Sequence, residues 1–139
     1  YEKSLEGWGI CNDGNKLYKS EGTEKIWTLN AESQIEEGYI EIYTNKNKVI
    51  GLNELEWIDG KIYANRYQFK GMAIIDPKNG SIEGVVDLSP LEKKVTQHRK
   101  LDVINGIAFN KKRNSIFVTG KMWDKIFEIR IIERKWTNY

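Results

Sequence analysis

One histidine and one cysteine in 139 residues close off most common routes to catalysis. His98 and Cys11 give neither a zinc-ligand spacing nor a cysteine–histidine pair. No phosphate-binding loop, G-x-S-x-G elbow or dinucleotide fingerprint occurs, so neither metal nor cofactor is expected. What remains is a set of polar and aromatic residues at recurring places. Glu6-Gly7-Trp8, Asn53-Glu54 and Asn105-Gly106 stand at or just before a short apolar segment. Asn65-Arg66-Tyr67-Gln68 and Thr119-Gly120-Lys121-Met122-Trp123 follow a second one. Singly, each has a local explanation: asparagines form turns, Trp8 packs, Lys121 is solvated. Together they offer aromatic walls, a carboxamide and a cation, which is the equipment for holding a polar substrate out of water.

These residues are carried by three stretches that overlay on one another. The first reads Trp8-Gly9-Ile10-Cys11, turns through Asn12-Asp13-Gly14, and continues to Leu17-Tyr18 and Ile26-Trp27-Thr28-Leu29. The second reads Leu55-Glu56-Trp57-Ile58, turns at Asp59-Gly60, and continues to Ile62-Tyr63 and Met72-Ala73-Ile74-Ile75. The third reads Gly106-Ile107-Ala108-Phe109, turns, and continues to Ile116-Phe117 and Ile126-Phe127-Glu128-Ile129. The equivalent aromatics Tyr18, Tyr63 and Phe117 lie 45 and 54 residues apart. A period in that range, with three or four short strands per unit, is the pattern of β-propeller blades. The expected fold is therefore all-β, with blades over about 6–52, 53–104 and 105–139. Outer strands are expected at 34–44 and 81–88, with no clear third copy after Ile129. The only candidate helix is 89–101, where Ser89 can cap, Pro90 suits the first helical position, and Leu91 and Val95 are four apart.

Three blades do not close a ring, which takes roughly four to eight. The chain is expected to be a piece whose ring is completed by further blades, from the same protein or another chain. With 40% hydrophobic and 12% aromatic residues it can build a core, yet its apolar runs are far too short to span a bilayer. The net charge of +2 comes from 22 basic and 20 acidic residues, well mixed, which is no nucleic-acid footprint. The basic cluster Lys93-Lys94 with His98-Arg99-Lys100 reads as a solvated connection, and Cys11 as a buried, inert thiol.

Four segments together resemble a known family. Glu6-Gly7-Trp8-Gly9, Leu52-Asn53-Glu54-Leu55-Glu56, Asp102-Val103-Ile104-Asn105-Gly106-Ile107-Ala108 and Phe117-Val118-Thr119-Gly120-Lys121-Met122-Trp123 are similar, in order and spacing, to signatures of the plant-type and bacterial glutaminyl cyclases. The resemblance implies a five-bladed propeller and a metal-independent acyltransferase that closes an N-terminal glutaminyl residue to pyroglutamate, releasing ammonia. It implies a peptide or protein substrate with N-terminal Gln, no nucleic-acid partner, and a periplasmic or secreted location after signal removal. It places Trp8 as a wall of the substrate pocket, Asn53 as polar anchor and Lys121 as the group acting on the reacting amide, with Trp123 beside it. Where the family carries a second Trp, this chain has Tyr67, which keeps an aromatic wall and adds a hydroxyl. The family's general acid/base glutamate belongs to a blade upstream of Glu6, so the segment alone is expected to be inactive, and Glu54 and Glu56 are read as loop and blade contacts. The competing readings are a propeller that binds peptides or a small ligand without catalysis, and a calcium-dependent lactonase, whose carboxylate and Asn ligands do not align here.

Overall fold

The polar turns each close a hairpin, and the hairpins assemble into three antiparallel sheets. The computed structural model describes residues 3–133. The first sheet runs β1 (Ile10–Asn12), β2 (Lys16–Ser20), β3 (Lys25–Asn30) and β4 (Glu36–Glu41), in that spatial order. The second runs β5 (Leu52–Ile58), β6 (Lys61–Arg66), β7 (Gly71–Ile75) and β8 (Ile82–Asp87). The third pairs β9 (Ile104–Asn110), β10 (Ser115–Gly120) and β11 (Phe127–Ile129). The fold is all-β, with blade-like sheets following one another along the chain.

Side-chain chemistry fixes the turns. Between β1 and β2, the Asp13 carboxylate accepts from the Asn15 and Lys16 amides at 2.8 and 2.7 Å and from the Tyr18 hydroxyl at 2.9 Å. Between β5 and β6, Asp59 and Gly60 have φ of 46° and 81°, the two positive values that a tight hairpin of the sheet's own twist requires. The expected outer strands are present as β4 and β8. A third outer strand would fall at 130–139, of which 134–139 lie outside the described residues.

Two cores hold the sheets together. Between the first and second sheets lie Tyr18, Ile26, Ile42, Leu55, Ile62 and Ile75, with the Tyr18 and Trp57 rings stacked at 5.4 Å. Between the second and third lie Ile58, Met72, Leu88, Ile104, Ile107 and Val118. Strand β5 is the common neighbour, touching β1 on one side and β9 on the other. Cys11 is buried in the first core; burial, and then the nearby Glu56, Asp13 and Glu54 charges, push its thiol up to about 12. It is inert at neutral pH.

The expected helix is mostly a loop. Only Ser89–Glu92 (α1) is helical, and Leu88 takes the cap position without a side-chain bond. Two apolar residues four apart give too narrow a face to carry a longer helix. Beyond α1 the backbone instead bonds to side chains: the Glu92 and Val95 carbonyls both accept from Gln97 Nε2, at 2.8 and 2.9 Å. Val95 is nonetheless buried, so it anchors an irregular connection.

The first sheet's other face carries a buried ion pair between Lys19 and Glu36. Glu36 also accepts from the Ser4 hydroxyl and from the Lys3 and Ser4 amides, fastening the N-terminal strap to β4. Burial pushes that carboxyl up, but the hydrogen bonds from Lys19, Ser4 and Lys3 outweigh it and hold it at about 2. Beside the pair lies a cleft of about 700 Å³ lined by Ile10, Leu17, Leu29 and Ile35.

Candidate functional site

Trp8 stands where the N-terminal strap enters the first sheet, and a ladder of backbone bonds decides what it meets. The Trp8 amide donates to the Ser20 carbonyl at 3.0 Å, and its indole N–H to Glu6 at 2.6 Å. The six-membered part of the ring reaches Gly22, where a Cβ would come within 2.6 Å of it. Gly22 also has φ of 82°, so both space and backbone reserve that position for glycine. Its carbonyl accepts from the Gly51 amide at 2.8 Å, and the Gly51 carbonyl accepts from the Tyr67 amide at 2.6 Å. The result is an edge-to-face pair: the Trp8 and Tyr67 rings meet at 6.0 Å and 70°. Both rings are partly open to solvent, at 37% and 46% exposure.

Asn53 is set from beneath by Gly9. A Cβ on Gly9 would fall 2.2 Å from the Asn53 carbonyl oxygen, so glycine alone allows β5 this close to the first sheet. The Ser20 hydroxyl completes the joint, accepting from the Gly9 amide at 2.9 Å and donating to the Asn53 carbonyl at 2.5 Å. Asn53 is buried, yet among the described residues its carboxamide has no hydrogen-bond partner. It is an unspent donor–acceptor pair. Asn65 is the opposite case: its side chain joins the Gly71 carbonyl at 3.3 Å to the Gly106 amide at 2.9 Å, a strap between the second and third sheets. Next along, the Asn105 side-chain oxygen is buried and has no hydrogen-bond partner among the described residues.

Glu54 and Glu56 follow Asn53 on the strand between the two cores. Burial raises the Glu54 carboxyl, and the neighbouring Glu56 charge raises it further. Glu54 lines the 700 Å³ cleft beside Trp8, and among the described residues its carboxylate accepts no hydrogen bond. Glu56 is raised by burial too, against the pull of its bond from the Phe109 amide at 2.8 Å, which ties β5 to β9.

Lys121 and Trp123 come from the loop after β10. The Lys121 amide donates to the Val103 carbonyl at 2.9 Å, and its carbonyl accepts from the Asp102 amide at 3.2 Å. Its side chain is exposed and, among the described residues, makes no ion pair. Trp123 lies across Gly120, donates from its indole to the Asp102 carbonyl at 3.1 Å, and packs edge-on against Phe127 at 6.1 Å. The structure thus brings Trp8 and Tyr67 into contact, sets Asn53 beside Gly9, and carries Lys121 and Trp123 on the neighbouring sheet's loop. Of these five residues, only Trp8 lines the 700 Å³ cleft. Sequence reasoning passed over Ser20, Gly22 and Gly51, the joints under the Trp8–Tyr67 pair; glycines close to the ends of strands, Gly22 after β2 and Gly51 before β5, were the available signal. Among the described residues no His, Cys, Asp and Glu cluster is arranged to hold a metal ion, and no helix is long and apolar enough to cross a membrane.

Comparison with known proteins agrees with this architecture. The sequence profile described as glutamine cyclotransferase matches residues 1–131. The glutaminyl-peptide cyclotransferase of Arabidopsis thaliana is 37% identical over 129 residues, covering 91% of this chain and 40% of that protein. The crystal structure of Myxococcus xanthus glutaminyl cyclase superposes with a TM-score of 0.85 at 35% identity, over 91% of this chain and 56% of that one. The chain therefore spans about half the length, or less, of these relatives. A profile match over nearly the whole chain and a solved structure with the same sheet arrangement lead to one conclusion: the chain belongs to the glutamine cyclotransferase family.

Proposed function

We propose that this chain forms three blades, over about 6–52, 53–104 and 105–139, of a five-bladed glutaminyl-peptide cyclotransferase that acts on peptides or proteins with an N-terminal glutaminyl residue. Remaining blades, from the same polypeptide or a second chain, complete the ring. The observation that carries the reading is the Trp8–Tyr67 wall beside the unengaged Asn53 carboxamide, in a chain that matches the family along nearly its whole length.

In the proposed reaction the substrate's α-amine attacks its own side-chain amide carbon. A C–N bond forms, the amide oxygen gains negative charge, and the departing nitrogen takes up a proton and leaves as ammonia. Ring closure is intramolecular, so holding the amine over the carbon supplies much of the rate. Trp8 and Tyr67, with Trp123 nearby, wall off water, and Asn53 anchors the substrate. Lys121 meets the charge developing on the amide oxygen, where a placed donor is typically worth about 2.7–4 kcal/mol. The proton is moved by a carboxyl of raised pKa contributed from outside this segment, so no metal is required and the segment alone does not turn over. Action outside the cytoplasm, periplasmic or secreted, fits this role.

The test is ammonia release from a glutaminyl peptide by the complete protein, before and after exhaustive chelation. Release that survives chelation is expected. A complete, folded protein that binds the peptide and never releases ammonia would overturn the reading, and activity in the isolated segment would move the acid/base role to Glu54 or Glu56.

A further inference from the structure

The loop that carries Lys121 is tied to β10 by the Thr119 hydroxyl, which donates to the Lys125 carbonyl at 2.9 Å, and by the Trp123 amide, which donates to the Gly120 carbonyl at 3.2 Å. Met122 sits in the left-handed region, with φ of 61°, so the loop's own backbone preference does not hold it. Nearly every residue of the loop is instead held by the irregular connection that follows α1. The Asp124 carboxylate accepts two bonds from Thr96, from the amide at 3.0 Å and the hydroxyl at 2.7 Å. His98 Nδ1 accepts from the Lys100 amide at 3.2 Å, so the ring's proton is on Nε2, which donates to the Met122 carbonyl at 3.0 Å. Lys125 Nζ reaches back to the Lys94 carbonyl at 2.6 Å. Val95, buried between these contacts, roots the connection in the protein. A solvated spacer between two blades needs none of this. The eleven residues between α1 and β9, 93–103, are long for a simple connection, and they are folded against the Lys121 loop.

We propose that the Thr96–Asp124 pair is a positioning pair, which fixes the loop so that the Lys121 ammonium stands where the substrate's amide oxygen develops charge. The inference rests on the reading of Lys121 given above. Neither Thr96 nor Asp124 touches substrate; they act through the lysine. Because the hydroxyl bond is made to an ionised carboxylate, it is among the stronger ones available at an exposed site. Displacing a catalytic donor by about 1 Å can cost ~100-fold in rate, so its loss is read in turnover before it is read in stability.

The experiment uses the complete protein and a glutaminyl peptide, with kcat, KM and the thermal midpoint measured for Thr96→Val, Thr96→Ser, Asp124→Asn, Lys121→Ala and the Thr96→Val/Lys121→Ala double variant. Thr96→Val and Asp124→Asn are expected to lower kcat about 10- to 100-fold. KM should stay within about twofold, since only a transition-state contact is disturbed. Thr96→Ser, which keeps the hydroxyl, should restore turnover, and Thr96→Val should cost nothing more once Lys121 is gone. Wild-type kcat in Thr96→Val, or the same loss with and without Lys121, overturns the positioning role while leaving the lysine assignment intact. Wild-type turnover in Lys121→Ala overturns the lysine assignment, and the pair falls with it.

Discussion

The two halves of the proposed site are held by different physics. On the Trp8–Tyr67 side, glycines and backbone bonds do the work: Gly9 admits the Asn53 carbonyl, Gly22 supports the indole, and Gly51 relays one amide to the next. On the Lys121 side, backbone bonds to Asp102 and Val103 are joined by exposed side chains, above all Asp124 receiving Thr96 from 28 residues away. The first arrangement is stiff because a Cβ added at Gly9 collides with backbone and one added at Gly22 collides with the Trp8 ring. The second is adjustable, because single hydroxyl and carboxylate groups can be changed without disturbing a core. A wall needs only to be in place; a donor must be aimed.

That contrast sets the order of the expected effects. Lys121→Ala in the complete protein should reduce kcat by ~100- to 1,000-fold. Its stability should stay within about 0.5 kcal/mol of wild type, as for other exposed positions, and urea unfolding alongside steady-state kinetics separates the two. Gly9→Ala should do the reverse: a Cβ 2.2 Å from the Asn53 oxygen forces the first two sheets apart. A loss of about 1–3 kcal/mol in urea unfolding is expected, as for other overpacked positions.

The third effect concerns acid. Glu36 is held at about 2 against an ordinary 4.5, so its contribution is complete above pH 4.5 and drains away as the pH falls towards 2. Urea midpoints measured between those limits should fall more steeply in the wild type than in a Lys19→Met/Glu36→Leu variant, which replaces the buried pair by apolar residues. Equal slopes would mean that the strap leading to Trp8 is not held by this pair. The smallest effect belongs to Tyr67→Trp, where one aromatic wall replaces another. Stability should change by less than about 0.5 kcal/mol, and KM should hold or fall.

The stiff half was the legible half. Repeats and turns were readable because strand alternation and turn residues act over a few neighbours, and Asp13 or Asp59-Gly60 close their hairpins on the spot. The connection after α1 was not. Ser89-Pro90 and the Leu91–Val95 spacing mimic a helix start, while the residues that decide its path, Thr96 and His98, bond to a loop more than twenty positions later. Side-chain bonds of that reach leave no local period in a sequence. Lys121, like Trp8, Asn53 and Tyr67, was singled out by its place in the repeats and by a resemblance of motifs, whereas what holds its loop became visible only in the fold. The same holds for the 700 Å³ cleft, which the rim residues gave no hint of and which takes Trp8 and Glu54 but not Tyr67 or Lys121.

The central claim is that the two halves serve one substrate. A crystal structure of the complete protein with an unreactive glutaminyl-peptide analogue tests it most directly. The account predicts the ligand against the Trp8 and Tyr67 rings, with its side-chain amide group within about 2.7–3.2 Å of Lys121 Nζ and the Asn53 carboxamide. An analogue seated instead in the cleft beside Ile10 and Ile35, with Lys121 still in solvent, would contradict it.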